Sequence, residues 1–254
     1  MGKINVDLKG QIAIVTGAGK GIGRAITLAL AASGAMVFAV SRTSKDLEQL
    51  KEEIEKEGGK CSIAICDVQS VKQIEGMVEQ VYTQAGKIDI LVNSAGLNIQ
   101  AHTLDVTEEQ WDTIMNTNLK GAFFTSQAVA RKMKEQKEGR IISITSQMAF
   151  VGFYKRVAYC ASKGGLTQAT KAMAVELAEY NIKVNCIAPT FLKTPLTEPM
   201  FKDRDFYNEV ISRIPLGKIG TPEDVAGAVL YLVSDSADLV TGSSILVDGG
   251  WVAW

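Results

Sequence analysis

Apolar residues come in seven short runs along this chain, at 12–15, 35–40, 61–65, 88–92, 140–144, 182–187 and 245–247. Each is too brief for a helix and long enough for a buried strand. The segments between them carry helical spacing instead. A helix starts near Ile22, Leu47, Leu50 and Ile54 mark one face of 43–57, and 70–84, about 107–135 and 157–180 read as further helices. Near-continuous apolar runs alternating with helices predict an α/β fold whose parallel sheet is covered on both faces. The rhythm breaks after 187. Pro189, Pro195, Pro199 and Pro215 bracket a mixed charged and aromatic stretch, expected at about 190–215 to be a loop or small helix lying over a site. Thr221-Pro222-Glu223-Asp224 then supplies the cap, proline and acidic first turn of a last helix before the edge strand at 245–247.

Length and charge narrow the possibilities. A chain of 254 residues without a linker-like stretch predicts one domain over 1–254. With 27 basic and 28 acidic side chains, net charge is −1, so a small molecule is a better partner than nucleic acid. Cys61, Cys66, Cys160 and Cys186 are scattered, and His102 is the one histidine, so neither a disulfide framework nor a metal-ligand set is expected. The reach 25–40 is interrupted by Thr27, Ser33 and Gly34, unlike a membrane span, and the opening MGKINV lacks a signal-peptide core. A cytoplasmic protein is the expectation.

Two clusters carry candidate chemistry. In QIAIVTGAGKGIGR, 11–24, a strand runs into Gly17, Gly19, Gly21 and Gly23 and then a helix start. Glycine admits positive φ and close approach, and a helix N-terminus offers unpaired N–H groups to an anion such as a pyrophosphate. The spacing T-G-x-x-x-G-x-G also fits a tight βα turn that needs glycine only for packing. In AYCASKGG, Tyr159 and Lys163 stand four apart at the head of a helix and share a face. A phenol with pKa near ~10 becomes a usable acid or base when an ammonium favours its phenolate; read alone, the pair also fits a solvated face. Ser146 stands thirteen residues before Tyr159 at the C-terminal end of a strand, the end at which open parallel sheets bind ligands.

At this point the chain resembles the short-chain dehydrogenases/reductases over nearly its whole length. The resemblance rests on T-G-A-G-K-G-I-G at 16–23, Asp67-Val68, N-S-A-G at 93–96, N-L-K-G from Asn118, Ser146, Tyr159-x-x-x-Lys163, and V-N-C-I-A-P at 184–189. It implies a doubly wound Rossmann fold with a seven-stranded parallel sheet, and a hydride exchanged with a nicotinamide cofactor. By resemblance, Tyr159 exchanges a proton with the substrate oxygen, and Lys163 lowers the tyrosine pKa and holds the nicotinamide ribose. Ser146 hydrogen-bonds the carbonyl and Asn118 anchors a proton-relaying water. Gly17, Gly21, Ile22, Gly23, Asn93, Ala95, Gly96 and Pro189 line the cofactor, Asp67 and Val68 meet the adenine, and Thr194 the carboxamide. Thr190 departs from the family, which has Gly after the proline, and this bears on the shape of substrate entry.

Cofactor choice can be read further. NAD-selective relatives carry an acid at the end of the second strand, where this chain has Ser41-Arg42, and Lys20 adds a second positive charge beside the adenosine ribose. If these are not ordinary surface charges, NADP(H) is the cofactor. For the substrate, Gln147, Lys155, Arg156 and Lys193 offer hydrogen bonds and charge, and Met148, Phe150, Phe153 and Phe191 offer apolar walls. Sugar-acid and polyol dehydrogenases of the family look similar in S-Q-M, F-L-K-T-P-L-T and D-G-G-W, which implies a hexonate or its keto form. A 3-oxoacyl carrier-protein reductase is the alternative within the family, and a non-catalytic NADP-binding regulator or scaffold the alternative of another class. Trp251 and Trp254 near the chain end would be buried by a partner subunit in the family's common homotetramer, or folded back on their own chain.

Overall fold

The first apolar run forms β1 (Ile12–Thr16) and the glycine turn hands it to α1 (Gly21–Ala32). There follow β2 (Met36–Ser41), α2 (Ser44–Lys56), β3 (Lys60–Ile65), α3 (Val71–Ala85) and β4 (Ile90–Asn93). The second half adds α4 (Glu108–Met115), α5 (Ala122–Gln136), β5 (Gly139–Ile144), α6 (Val157–Leu177), β6 (Ile182–Pro189), α7 (Arg204–Ser212), α8 (Pro222–Val233) and β7 (Ser244–Val247). The computed structural model describes residues 6–195 and 197–253. All seven strands pair in parallel, in the order β3-β2-β1-β4-β5-β6-β7. Strand order reverses between β1 and β4, and in such sheets the crevice beyond the carboxyl ends of those two strands is where a ligand sits.

The period of two along each strand splits the core into two layers. Ala13 and Val15 of β1, Val37 and Ala39 of β2, and Ile90 and Val92 of β4 pack with Ile26, Leu30, Leu47, Leu50 and Val225, so α1, α2 and α8 cover one face. Ile14, Phe38, Val40 and Leu91 point the other way, to Ile74, Val78, Val129 and Met173 of α3, α5 and α6. Each fully buried side chain of this kind contributes roughly 1.5–3 kcal/mol over an exposed one.

The helix expected at about 107–135 is not continuous. Thr107 caps α4 in a capping box with Gln110, and α4 passes into a wide π turn at Asn116–Gly121 before α5 begins. A Cβ on Gly121 would lie 2.6 Å from the Val68 carbonyl oxygen, so the glycine lets this turn press against the end of the β3 loop. The segment after β6 holds α7 and packs Phe191, Val210 and Ile214 in a third cluster with Met148 and Trp251. Trp251 is thus buried against its own chain, with ring centroids 5.9 Å from Phe153 and 5.7 Å from Phe191. Trp254 and the N-terminal residues 1–5 lie outside the described residues. His102 is an exposed loop residue.

Candidate active site

Thr16 ends β1 with its hydroxyl buried, and that oxygen accepts from the backbone N–H groups of Ser94 (3.1 Å) and Ala95 (3.2 Å). The bonds draw the loop after β4 against the glycine turn. Gly17 has φ +66°, and a Cβ there would come within 2.8 Å of the Ala95 backbone. A Cβ on Gly23 would lie 2.2 Å from the Gly17 carbonyl oxygen, so this position too needs glycine. Lys20 is the extended cap residue of α1 and its side chain makes no capping bond, which leaves the first N–H groups of the helix open to an anion.

Two cavities adjoin along this edge of the sheet. One, of about 340 Å³, is walled by Gly17, Lys20, Ser41, Arg42, Asp67, Val68, Ala95 and Gly96. The other, of about 330 Å³, is walled by Ile22, Gly96, Ser146, Gln147, Tyr159, Lys163, Pro189 and Thr194. Gly96 and Leu97 border both. The groove crosses the β1/β4 switch point with a glycine cradle at its middle, and these residues fit an extended dinucleotide. Gly21 and Gly23 lie in the first turn of α1 rather than on a cavity wall, and Gly21 stands beside Thr194.

Two expected residues are placed differently. Asn93 does not line either cavity: its Nδ2 donates to Ser126 Oγ at 2.8 Å and the side chain is buried between β4 and α5. The adjacent Ser94, which the sequence did not single out, takes the place on the wall. Asn118, in the π turn, is fully buried; its Oδ1 accepts from Leu97 N (2.9 Å) and its Nδ2 donates to Leu97 O (2.9 Å) and Ser162 Oγ (3.1 Å). Its side chain therefore pins the loop after β4 to α6, a task that no sequence pattern announces. Thr190 takes no positive φ, so glycine is not required there, and it lines the cavity.

At the reacting end, Ser146 Oγ donates to Gln147 Oε1 at 2.8 Å and accepts from Met148 N at 3.1 Å. Tyr159 stands beside it on the same wall. Burial pushes the Tyr159 phenol above its usual range, with Ser146 and the Arg156 charge pulling the other way. Lys163 Nζ lies 5.7 Å from the tyrosine ring centroid and donates to the Ile144 carbonyl at 2.8 Å. Burial pushes Lys163 itself down to about 8.

That depression has a measurable consequence. The unfolded chain keeps its lysine near ~10.4, so between about pH 8 and that value it binds more protons than the folded protein, and stability rises with pH across the window. Lys163→Met removes the buried charge. Calorimetry of the cofactor-free protein should show a higher midpoint at pH 7, by about 2–4 °C per kcal/mol relieved, and a flatter rise above pH 8. A lower midpoint would mean that the lost Ile144 bond outweighs the relieved charge.

At the other end, Arg42 and Lys20 both border the adenosine-side cavity, but Lys20 is not free: its Nζ lies 3.2 Å from Asp46 Oδ2. Asp46, in the first turn of α2, was not legible as a site residue, because an acid there reads as an ordinary helix-dipole partner. Of the candidate substrate residues, Gln147, Met148, Arg156 and Phe191 line the cavity, whereas Lys155 and Phe150 are exposed and Lys193 borders a different depression. Among the described residues there is no group of three or more His, Cys, Asp or Glu side chains placed to hold a metal, and no helix is long and apolar enough to cross a membrane.

Comparison with known proteins agrees with this geometry. Residues 17–252 match the model of a family described as enoyl-(acyl carrier protein) reductase. The chain is 42% identical over 246 residues to the 3-oxoacyl-[acyl-carrier-protein] reductase of Thermotoga maritima, covering 96% of this chain and 99% of that one. It is 36% identical over 251 residues to the 2-dehydro-3-deoxy-D-gluconate 5-dehydrogenase of Dickeya dadantii, covering 97% of each. The crystal structure of a gluconate 5-dehydrogenase from Burkholderia cenocepacia in complex with NADP and tartrate matches with a TM-score of 0.95 at 32% identity, over 98% of each chain. With these likenesses added to the parallel sheet, the glycine cradle and the Ser146, Tyr159 and Lys163 cavity, the chain belongs to the short-chain dehydrogenase/reductase family, oxidoreductases acting on secondary alcohols and ketones.

Proposed function

We propose that this protein is an NADP(H)-dependent oxidoreductase interconverting a secondary alcohol and a ketone in a sugar acid, polyol or related small carbonyl compound. The observation that carries this reading is the convergence of Ser146, Tyr159 and Lys163 on one cavity that meets the glycine cradle at Gly96 and Leu97. When bound, NADP(H) supplies or accepts the hydride. Gly17, the open N–H groups of α1, Ala95 and Gly96 hold the pyrophosphate region, Asp67 and Val68 the adenine side, and Ile22, Pro189 and Thr194 the nicotinamide side. Arg42 and Lys20 neutralise a 2′-phosphate. The Ser146 hydroxyl turns from Gln147 to donate to the substrate's carbonyl oxygen. The Tyr159 hydroxyl, kept protonated by burial, gives its proton to that oxygen on reduction and recovers it on oxidation. Lys163 holds the ribose hydroxyls and stabilises the phenolate left behind. Asn118 keeps the loop after β4 in place and, through the π turn, the water that resupplies the proton.

Segment 190–215 covers the substrate, which the presence of Phe191, Leu192 and Met200 on the cavity wall supports. Exposed Tyr231 of α8 and Leu246 of the edge strand β7 support burial between copies in a homotetramer, and the cytoplasm is the compartment that suits the free cysteines. A 3-oxoacyl carrier-protein reductase is the second reading, favoured by the 42% identity to the Thermotoga enzyme.

The test is titration with NADPH and NADH, followed by keto-hexonates, polyols, diketones and acyl thioesters at saturating cofactor. Turnover of keto acids with NADPH is the expected result. Turnover confined to thioesters would assign the carrier-protein reaction. Cofactor binding without turnover of any carbonyl would leave a non-catalytic regulator.

A further inference from the structure

Arg156 is the one charged residue of the reacting cavity besides Lys163, and it is 3% exposed. A buried guanidinium ordinarily has a carboxylate partner, because the desolvation of a lone charge is costly. Among the described residues Arg156 has none. One of its amino groups donates to the Tyr154 carbonyl at 3.3 Å, and its guanidinium carbon lies 5.2 Å from the ring centroid of Phe153 and 5.5 Å from that of Phe191. Glu209 of α7 is engaged elsewhere, by Arg213 at 3.1 Å and by the Tyr154 hydroxyl. Lys155, immediately before it, sits at φ +59°, a left-handed conformation that a lysine rarely adopts.

The same cavity holds other unpaired polar atoms. Gln147 Nε2, Asn98 Oδ1 and Thr190 Oγ1 are buried without a hydrogen-bond partner, and all three residues line it. Buried polar groups are normally satisfied, so a wall with three such atoms and an uncompensated cation is built for a ligand that brings the missing partners. Those partners are an anion for the guanidinium and hydroxyl groups for the rest. Arg, with its planar fork of donors, matches a carboxylate in two bonds at once.

We propose that Arg156, assisted by Gln147, is the carboxylate subsite of this enzyme, so that the substrate is a hydroxy or keto acid whose anionic end lies against Arg156 while its carbonyl meets Ser146 and Tyr159. This rests on the oxidoreductase reading of the cavity and narrows it. A polyol or a neutral ketone lacks the anion, and a carrier-protein thioester is uncharged where the guanidinium would meet it.

The subsite can be tested without turnover. NADP-loaded protein is titrated calorimetrically with tartrate and with its neutral diamide, tartramide, which share hydroxyl groups and shape. The expected result is a preference for tartrate of at least about tenfold, as for a charge-assisted hydrogen bond. The preference is expected to vanish in Arg156→Met and to persist in part in Arg156→Lys, which keeps the charge but loses the fork. Equal affinity for the two probes in the wild type, or no binding of tartrate, would overturn the proposal, as would a preference that survives in Arg156→Met. If Arg156→Met fails to fold, the wild-type pair and Arg156→Lys still decide. Failure of every carbonyl to oxidise NADPH would instead sink the oxidoreductase reading, and the probe pair would still report on the charge.

Discussion

Tyr159→Phe is expected to slow NADPH-driven ketone reduction by roughly 10²–10⁴-fold, the usual worth of a positioned general acid, with NADPH affinity unchanged within about twofold. The ring stays in the cavity wall, packed against the cluster of Met148, Phe191 and Trp251, so the variant should fold. What disappears is the hydroxyl beside Ser146. Burial holds that phenol above its usual range, so it stays protonated across the neutral region and serves reduction there. Oxidation of the alcohol needs the opposite form, and its rate should climb with pH where reduction falls. Steady-state rates in both directions, with cofactor binding followed by fluorescence, check the prediction. A Phe variant that reduces ketones at the wild-type rate would take Tyr159 out of the proton path.

Arg42→Asp should weaken NADPH binding by about two orders of magnitude and leave NADH binding unchanged or improved. A charge-assisted bond to phosphate is worth about 1.5–3 kcal/mol, and the substitution replaces it with repulsion. Arg42 matters more than Lys20 in this respect because Lys20 is shared with Asp46 at 3.2 Å. Asp46→Asn frees Lys20 and should tighten NADPH several-fold without moving NADH. Equilibrium titration of both cofactors against the three proteins reads the effect. An unchanged preference in Arg42→Asp would move the recognition of the 2′-phosphate elsewhere.

Some features of the site escaped the sequence for physical reasons. The motif placed Asn93 at the cofactor, but the last residue of a strand can point to either side of the sheet. Here the bond to Ser126 draws it inward and gives the wall to Ser94. The amphipathic pattern at about 107–135 is continuous, so nothing in it marks the π turn that carries Asn118. The spacing of Tyr159 and Lys163 placed them on one face correctly, but not the 5.7 Å from Nζ to the ring centroid or the carbonyl that holds the ammonium instead. Lys155, Arg156 and Lys193 looked alike as cations, and burial alone separates Arg156 from the others.

What the sequence determined by itself is local and periodic. Seven apolar runs, the helices between them and the glycine turn follow from spacing and from the conformations that glycine and proline permit, and together they imply the parallel sheet with helices on both faces. Tertiary structure decided which side chains meet across distant segments. The pairing of Lys20 with Asp46, the pinning of the loop after β4 by Asn118, and the isolation of Arg156 among aromatic rings depend on how segments some 20 to 35 residues apart close over the end of the sheet. Such contacts are set by packing and charge in three dimensions, and no window of sequence contains them.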